Sequence, residues 1–199
     1  MGEKKLLREW YPVEYTSALI KESREKNGGK LMLQGVIQKA NTQNQNKRIY
    51  PTEVLRREVE NYQKAVRENR AVGELDHPES SSVSLDRVSH AVREMWWVGD
   101  DVMGRIEVLN TPKGQILQSL LESGITIGIS SRGVGSTEKN NEGLDTVQGD
   151  YQIICWDVVS EPSTPGAYLF AEGKQIDTNV SFSKADRIFR ALNDIVIKG

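Results

Sequence analysis

Cysteine and histidine are almost missing from this chain: 199 residues hold one Cys and two His. A single Cys155 excludes an internal disulfide and fits a reducing compartment. With so few soft ligands a Cys/His zinc cage cannot be built within one chain, and no metal or organic cofactor is expected. Long apolar runs are missing too. None approaches the roughly 18 residues that a membrane-spanning helix needs. The opening MGEKKLLREWYPVEY lacks the apolar core of a secretory signal, and Leu6 stands where a myristoylation signal wants Ser or Thr. Charge of one sign is not in excess: the formal net charge is -2. That leaves no basic field to draw nucleic acid, so neither a membrane nor DNA is an expected direct partner. What remains is ordinary, with 37% hydrophobic and 27% charged residues. At roughly 100–200 residues per domain, one compact core follows.

The pattern along the chain is α+β. From Gly29, GKLMLQGVIQK reads as a strand with Leu31 and Leu33 inward, and it breaks into the Asn/Gln-rich loop NTQNQN. Thr52 reads as an N-cap; Leu55, Val59, Tyr62 and Val66 then recur at helical spacing, predicting an amphipathic helix over 52–68. HAVREMWWVGDDVMGRIEVL alternates around Gly-Asp and predicts a hairpin, roughly 87–97 and 101–109. TPKGQILQSLLESG carries Thr111 as a cap, Pro112 at the first helical position and Gly124 past the end. ITIGISSRGVGS and YQIICWDVVS read as two further strands. A last helix is predicted over 183–197, with Ile188, Phe189, Leu192 and Ile195 on one face. About six strands and three helices fit a small, mostly antiparallel barrel with peripheral helices. The expected organisation is an N-terminal extension over 1–28, a barrel domain over 29–170 and a C-terminal tail over 171–199.

Three places in this pattern carry reactive side chains. His77 precedes Pro78, which favours extended backbone and places the imidazole at a strand end. His90 alternates with Val88 and Val92 and reads as a strand histidine with a satisfied hydrogen bond. In GISSRGVG, successive strand side chains point to opposite faces. Ile127, Ile129 and Ser131 then share one face, and Ser130 and Arg132 share the other. If the isoleucines face the core, Ser130 projects outward as the nucleophile, with Ser131 the alternative should the register slip by one. Asp157 sits in the apolar run CWDVV, where a lone carboxylate is costly without a partner. His77, Ser130 and Asp157 therefore supply a base, a nucleophile and an acid able to orient an imidazole. Arg132, or backbone N–H groups of the turn around Gly133, are the candidate oxyanion donors.

Five blocks then follow one another in order: NKRIYP (46–51), GELDHP (73–78), MWWVGDDVMGR (95–105), ISSRGVGS (129–136) and WDVVSEPSTPGA (156–167). Together, from about residue 31 to 169, they closely resemble the prohead core serine protease family of contractile-tailed bacteriophages. That family is related to the herpesvirus assembly protease, assemblin, so the resemblance implies a herpesvirus-protease-like barrel.

On this resemblance His77 is the general base, Ser130 the nucleophile and Asp157 the third member, standing where assemblin has a second histidine. The implied activity is that of a serine endopeptidase of prohead maturation, which works inside the immature shell in the host cytoplasm. Its implied substrates are scaffold or core proteins, the major capsid precursor and itself, with cleavage after glutamate. Arg132 or Arg48 would form a basic wall for that glutamate, residues 171–199 would be a removable tail or interaction element, and a homo-oligomer is possible. The competing expectation is a non-catalytic structural barrel of the phage particle, akin to tail-tube proteins, since a shared fold does not establish chemistry. A general esterase is disfavoured, because Ser130 lies in no Gly-x-Ser-x-Gly elbow.

Overall fold

In the computed structural model, residues 17–78, 80–141 and 143–172 are described. They fold as α+β, with three helices and ten mostly short strands. Helix α1 (Ser17–Lys26) precedes β1 (Met32–Lys39), β2 (Arg48–Ile49) and helix α2 (Thr52–Arg67). Strands β3 (Val72–Glu74), β4 (Val88–Val98) and β5 (Asp101–Val108) lead to helix α3 (Pro112–Glu122). Then come β6 (Gly128–Val134), β7 (Thr137–Lys139), β8 (Asp145–Val147), β9 (Gln152–Val159) and β10 (Leu169–Ala171).

The β4–β5 hairpin forms as its alternation predicts, with Val98 opposite Asp101 and Gly99 at φ +60° in the two-residue turn. A left-handed residue there matches the twist of the flanking strands, and glycine meets the requirement without steric cost. Helix α3 also forms within its punctuation: the Thr111 side chain accepts from Gly114 N–H at 3.0 Å, and Pro112 sits in the first turn. Helix α2 differs at its start. Pro51, not Thr52, occupies the cap position, and the Thr52 hydroxyl accepts from Asn41 Nδ2 instead. Its buried face is Val54, Leu55, Glu58, Val59 and Tyr62.

Part of the expected N-terminal extension is helical and docked. Ile20 and Ser23 of α1 are buried, and the Ser23 hydroxyl both donates to Met32 O at 2.9 Å and accepts from Met32 N–H at 3.0 Å. The helix expected at 183–197 lies outside the described residues.

The expected barrel is not realised as one continuous ladder. Strands pair in the order β10-β1-β5-β4-β3 in one sheet, β6-β9 in a second and β2-β8-β7 in a third. Single bridges, Leu75 to Val158 and Gly128 to Tyr168, join the ends of the first two sheets. The sequence pattern could not reveal this, because strands of two or three residues are too short to show a period. One hydrophobic cluster runs through both sheets, from Leu33, Ile37 and Ile106 to Ile129, Trp156 and Val158, with α2 adding Leu55 and Tyr62. Tyr62 meets Trp156 edge to face at 4.8 Å between ring centroids. That contact fastens β9 to the helix layer.

Candidate active site

Strands β6 and β9 pair antiparallel with Ser130 directly opposite Asp157, Arg132 opposite Cys155 and Ile129 opposite Val158. Residues directly opposite in an antiparallel pair share a face. Ser130, Arg132, Cys155 and Asp157 therefore project together, while Ile129 and Trp156 fill the core behind them. Ser131 takes the core side, beside the buried ring of Tyr151. The two candidate serines are thus separated by the sheet itself, and Ser130 is the one on the Asp157 side.

This face is not the open surface that alternation alone suggests. Ser130 and Arg132 are each only 6% exposed and Asp157 is fully buried. The covering comes from the segment after β3 and from the loop after β9. At the end of β3 the chain turns at Asp76, whose φ is +72°, a left-handed value that aspartate tolerates better than most residues. Asp76 N–H donates to Val158 O at 2.8 Å, and its carboxylate accepts His77 N–H at 2.9 Å. The turn delivers the His77 ring over β9, where Nδ1 lies 2.8 Å from Asp157 Oδ2. A carboxylate only accepts, so Nδ1 carries the proton and Nε2 is left unprotonated on the neutral ring. His77 remains 41% exposed on its side chain. No hydrogen bond joins it to Ser130 among the described residues; the Ser130 hydroxyl instead meets Ser163 Oγ at 3.2 Å.

Arg132 has a different place from the one expected of an oxyanion donor or a substrate-binding wall. Its Nε donates to Asp157 Oδ2 at 2.8 Å. One terminal nitrogen donates to Ser80 O at 2.7 Å and Ser82 O at 3.1 Å. The other donates to Glu74 Oε1 at 3.0 Å and Asp157 Oδ1 at 3.2 Å, with Cys155 Sγ also at 3.2 Å. A guanidinium has five N–H groups in a fixed fork, and these contacts occupy all of them. Nothing is left to point at a substrate.

The arginine is instead the hub of a buried ion network. Glu74 is fully buried, and its other carboxylate oxygen lies 3.1 Å from Arg87 Nε. Glu74 N–H donates to Asp157 Oδ1 at 3.0 Å. Burial works against the Asp157 charge, but hydrogen bonds from His77, Glu74 N–H and Arg132 outweigh it and hold its pKa below the usual carboxylate range. Arg132 is correspondingly held charged despite burial, by Glu74 and Asp157. Burial and the neighbouring Asp157 push the Cys155 thiol up to about 12, so it stays a neutral donor, 3.3 Å from Asp157 Oδ1.

His90 takes no part in the open site. It is fully buried, and burial lowers its pKa to about 4. The neutral ring donates from Nε2 to Trp156 O at 3.0 Å and accepts at Nδ1 from the Ser89 hydroxyl at 2.9 Å. It fastens β4 to β9 one residue from Asp157. Arg48 is exposed on β2; its own turn reaches the site through Gln45 N–H, which donates to Ser163 O at 2.9 Å. Gly133 lies against Tyr151, whose ring a Cβ would meet at 2.6 Å. That close approach accounts for the glycine by packing.

Two residues escaped the sequence reading although both stand in the motif blocks. Glu74 could have been found by the reasoning applied to Asp157, since VGEL is another apolar run with one carboxylate in it. Two such acids and an arginine in a third apolar strand imply a joint buried cluster. Ser163 left no signal of its own, because a serine between prolines in EPSTPGA reads as a turn residue.

No helix among the described residues is long and apolar enough to cross a membrane, and no cluster of metal-ligating side chains occurs among them. Residues 14–178 match the prohead core protein serine protease family. The prohead core protein protease of Enterobacteria phage T4 is 32% identical over 173 residues, covering 84% of this chain and 82% of the relative. The solved structure of the bacteriophage T4 capsid assembly protease superposes with a TM-score of 0.65 at 32% identity, covering 67% of this chain and 84% of that one. With most of its length matched to that family and a solved member sharing its fold, this chain belongs to the prohead core protein serine proteases.

Proposed function

We propose that this protein is the maturation endopeptidase of a phage prohead, with Ser130 as nucleophile, His77 as general base and Asp157 as the group that orients and charges the imidazole. The observation that carries the reading is the 2.8 Å contact between Asp157 Oδ2 and His77 Nδ1, made on the carboxylate directly across the strand pair from Ser130. It fixes the tautomer in which Nε2 is the basic nitrogen, the arrangement that lets an imidazole take a serine proton. In the resting site Ser130 is held by Ser163. Hydrogen bonds between a nucleophile and its base commonly tighten only when substrate is bound, and the His77 ring, 41% exposed, is not sealed within the fold. Imidazole assistance of this kind is worth roughly 10²–10⁴-fold in rate.

In the reaction the Ser130 Oγ attacks the scissile carbonyl carbon as its proton passes to His77 Nε2. The C–N bond then breaks as that proton moves to the leaving nitrogen, and water repeats the sequence on the acyl-enzyme. The substrates are the scaffold or core proteins, the major capsid precursor and the chain itself, cut inside the prohead. Cleavage falls after glutamate, with the exposed Arg48 as the cation offered to the P1 carboxylate. The circuit of two sheets joined by single bridges supports a herpesvirus-protease-like barrel whose seams are closed by side chains.

Expression of the full chain with Ser130→Ala tests the reading. Self-cleavage and cleavage of a co-expressed capsid precursor, followed by mass spectrometry, should vanish, while Ser131→Ala should still cut. Cleavage by the Ser130→Ala chain would pass the nucleophile's role to another residue, whereas a wild-type chain that cuts neither itself nor the capsid precursor would return the protein to the alternative of a structural barrel.

A further inference from the structure

Arg132 is fully engaged, so the oxyanion of the reaction needs other donors, and the loop after β9 supplies one. Residues 160–167 are pressed onto the start of β6: a Cβ on Gly128 would lie 2.4 Å from Pro162 Cδ, and Ile129 N–H donates to Ala167 O at 2.9 Å. Thr164 is buried, Ala167 N–H closes the turn on Thr164 O at 3.1 Å, and Ser163 O accepts from Gln45 N–H. Ser163 is thus held by backbone contacts on both sides, with its hydroxyl 3.2 Å from Ser130 Oγ and partly open to solvent.

Strand geometry adds a second donor. Successive N–H groups of a strand point to opposite edges. Ile129 N–H points away from β9, to Ala167. Ser131 N–H therefore points to the same edge, where the chain has already turned away at Gly166, whose φ is +76°. The N–H of Ser131 thus faces the edge away from β9, next to the nucleophile whose Oγ the Ser163 hydroxyl meets at 3.2 Å.

We propose, on the reading that Ser130 is the nucleophile, that Ser163 is a further catalytic residue: its hydroxyl, with the Ser131 N–H, receives the oxyanion of the tetrahedral intermediate. Either hydroxyl can be the donor of the 3.2 Å pair; with Ser163 donating, the Ser130 proton is free for His77 Nε2. When the Oγ–C bond forms, the π pair of the carbonyl moves onto its oxygen. The Ser163 O–H then swings from the consumed Oγ lone pair to that oxygen. Oγ and the oxyanion are bonded to one carbon, so a donor beside the attacking atom reaches the oxyanion when it stands on the carbonyl-oxygen side of the attack. The contact strengthens only as charge develops, which is the condition for lowering the barrier and not merely binding substrate.

The test uses the full chain, a peptide spanning a junction that the wild type cuts (mapped by mass spectrometry) and the aldehyde of the same peptide, whose adduct with Ser130 places an oxygen in the oxyanion position. Ser163→Ala should lower kcat by about 10²-fold with KM little changed. It should weaken the aldehyde by a similar factor, whereas Ser163→Thr, which keeps the hydroxyl, should recover most of both. Should the alanine chain not fold, Ser163→Cys, a weak donor of similar size, carries the same expectation. A kcat within about threefold of wild type overturns the proposal, as does a kcat loss without a matching loss of aldehyde affinity. Cleavage surviving in Ser130→Ala would sink the underlying reading; a dead Ser130→Ala beside a fully active Ser163→Ala would sink only this one.

Discussion

Five polar contacts converge on the Asp157 carboxylate, from His77 Nδ1, two nitrogens of Arg132, Glu74 N–H and the Cys155 thiol. A carboxylate buried in this way is stable only while its partners remain, so the catalytic part proposed for the residue and its structural part are hard to separate. Asp157→Asn should cut turnover by roughly 10³–10⁴-fold, because an amide can present N–H to the imidazole and stabilise the wrong tautomer. It should also lower stability by about 3–5 kcal/mol, since removing one charge of a buried pair leaves the other uncompensated. Urea unfolding of the same variant reads the second effect, and an unchanged midpoint would mean that Glu74 alone satisfies Arg132. His90 gives a prediction in a different window. Its folded pKa of about 4 lies below the ordinary 6.5, so the unfolded chain binds the proton first. Stability should be complete above pH 6.5 and decline as pH falls towards 4, by about 3 kcal/mol in total. The Asp157 contribution is lost only below that range, because its pKa is depressed from 3.8. His90→Gln should flatten the limb between pH 6.5 and 4 in thermal melts. A limb of unchanged steepness would assign it to other groups.

Elements with their own punctuation were legible in the sequence; those fixed by distant partners were not. Helix α3 carries its cap, proline and terminal glycine within fourteen residues, and the β4–β5 hairpin carries its turn, so local chemistry decides both. Strands β2, β3 and β10 exist because other strands pair with them, and no periodicity announces two or three residues. The same distinction divides the site. Alternation in GISSRG put Ser130 and Arg132 on one face. What lies over that face depends on the Asp76 turn and the loop after β9, each distant in sequence. Gly128→Ala probes this element-scale fit. The new Cβ would stand 2.4 Å from Pro162 Cδ and 2.6 Å from its Cγ, so the loop that carries Ser163 must lift. Overpacking of this kind costs typically about 1–3 kcal/mol, and peptide cleavage should fall by at least tenfold, because a displacement of about 1 Å can cost 10²-fold in an oriented reaction. Wild-type kcat in that variant would show that the loop position is not rate-determining.

At the scale of the molecule, the residues that meet in the site belong to different sheets. Glu74 and the turn to His77 end the five-stranded sheet, whereas Ser130, Arg132 and Asp157 belong to the β6–β9 pair. Between β3 and β9 the only strand-type bridge among the described residues is Leu75 to Val158, which taken alone describes a weak seam. Side chains and turns close it instead. Asp76 N–H to Val158 O, Glu74 N–H to Asp157, Glu74 to Arg132 and His90 to Trp156 O all cross it. The hydrophobic cluster behind them is continuous across both sheets, with Trp156 fully buried against Tyr62. Opening the seam would expose that tryptophan and strand two buried carboxylates and an arginine, a cost comparable with the roughly 5–15 kcal/mol that holds a whole domain together. The site should therefore not open ahead of the fold. In a urea titration, peptide cleavage, Trp fluorescence and far-UV circular dichroism should be lost at one midpoint, the signature of a single cooperative transition. Activity disappearing at clearly lower urea would mean that the β6–β9 pair parts from the five-stranded sheet on its own. The ion network would then serve the chemistry without closing the fold.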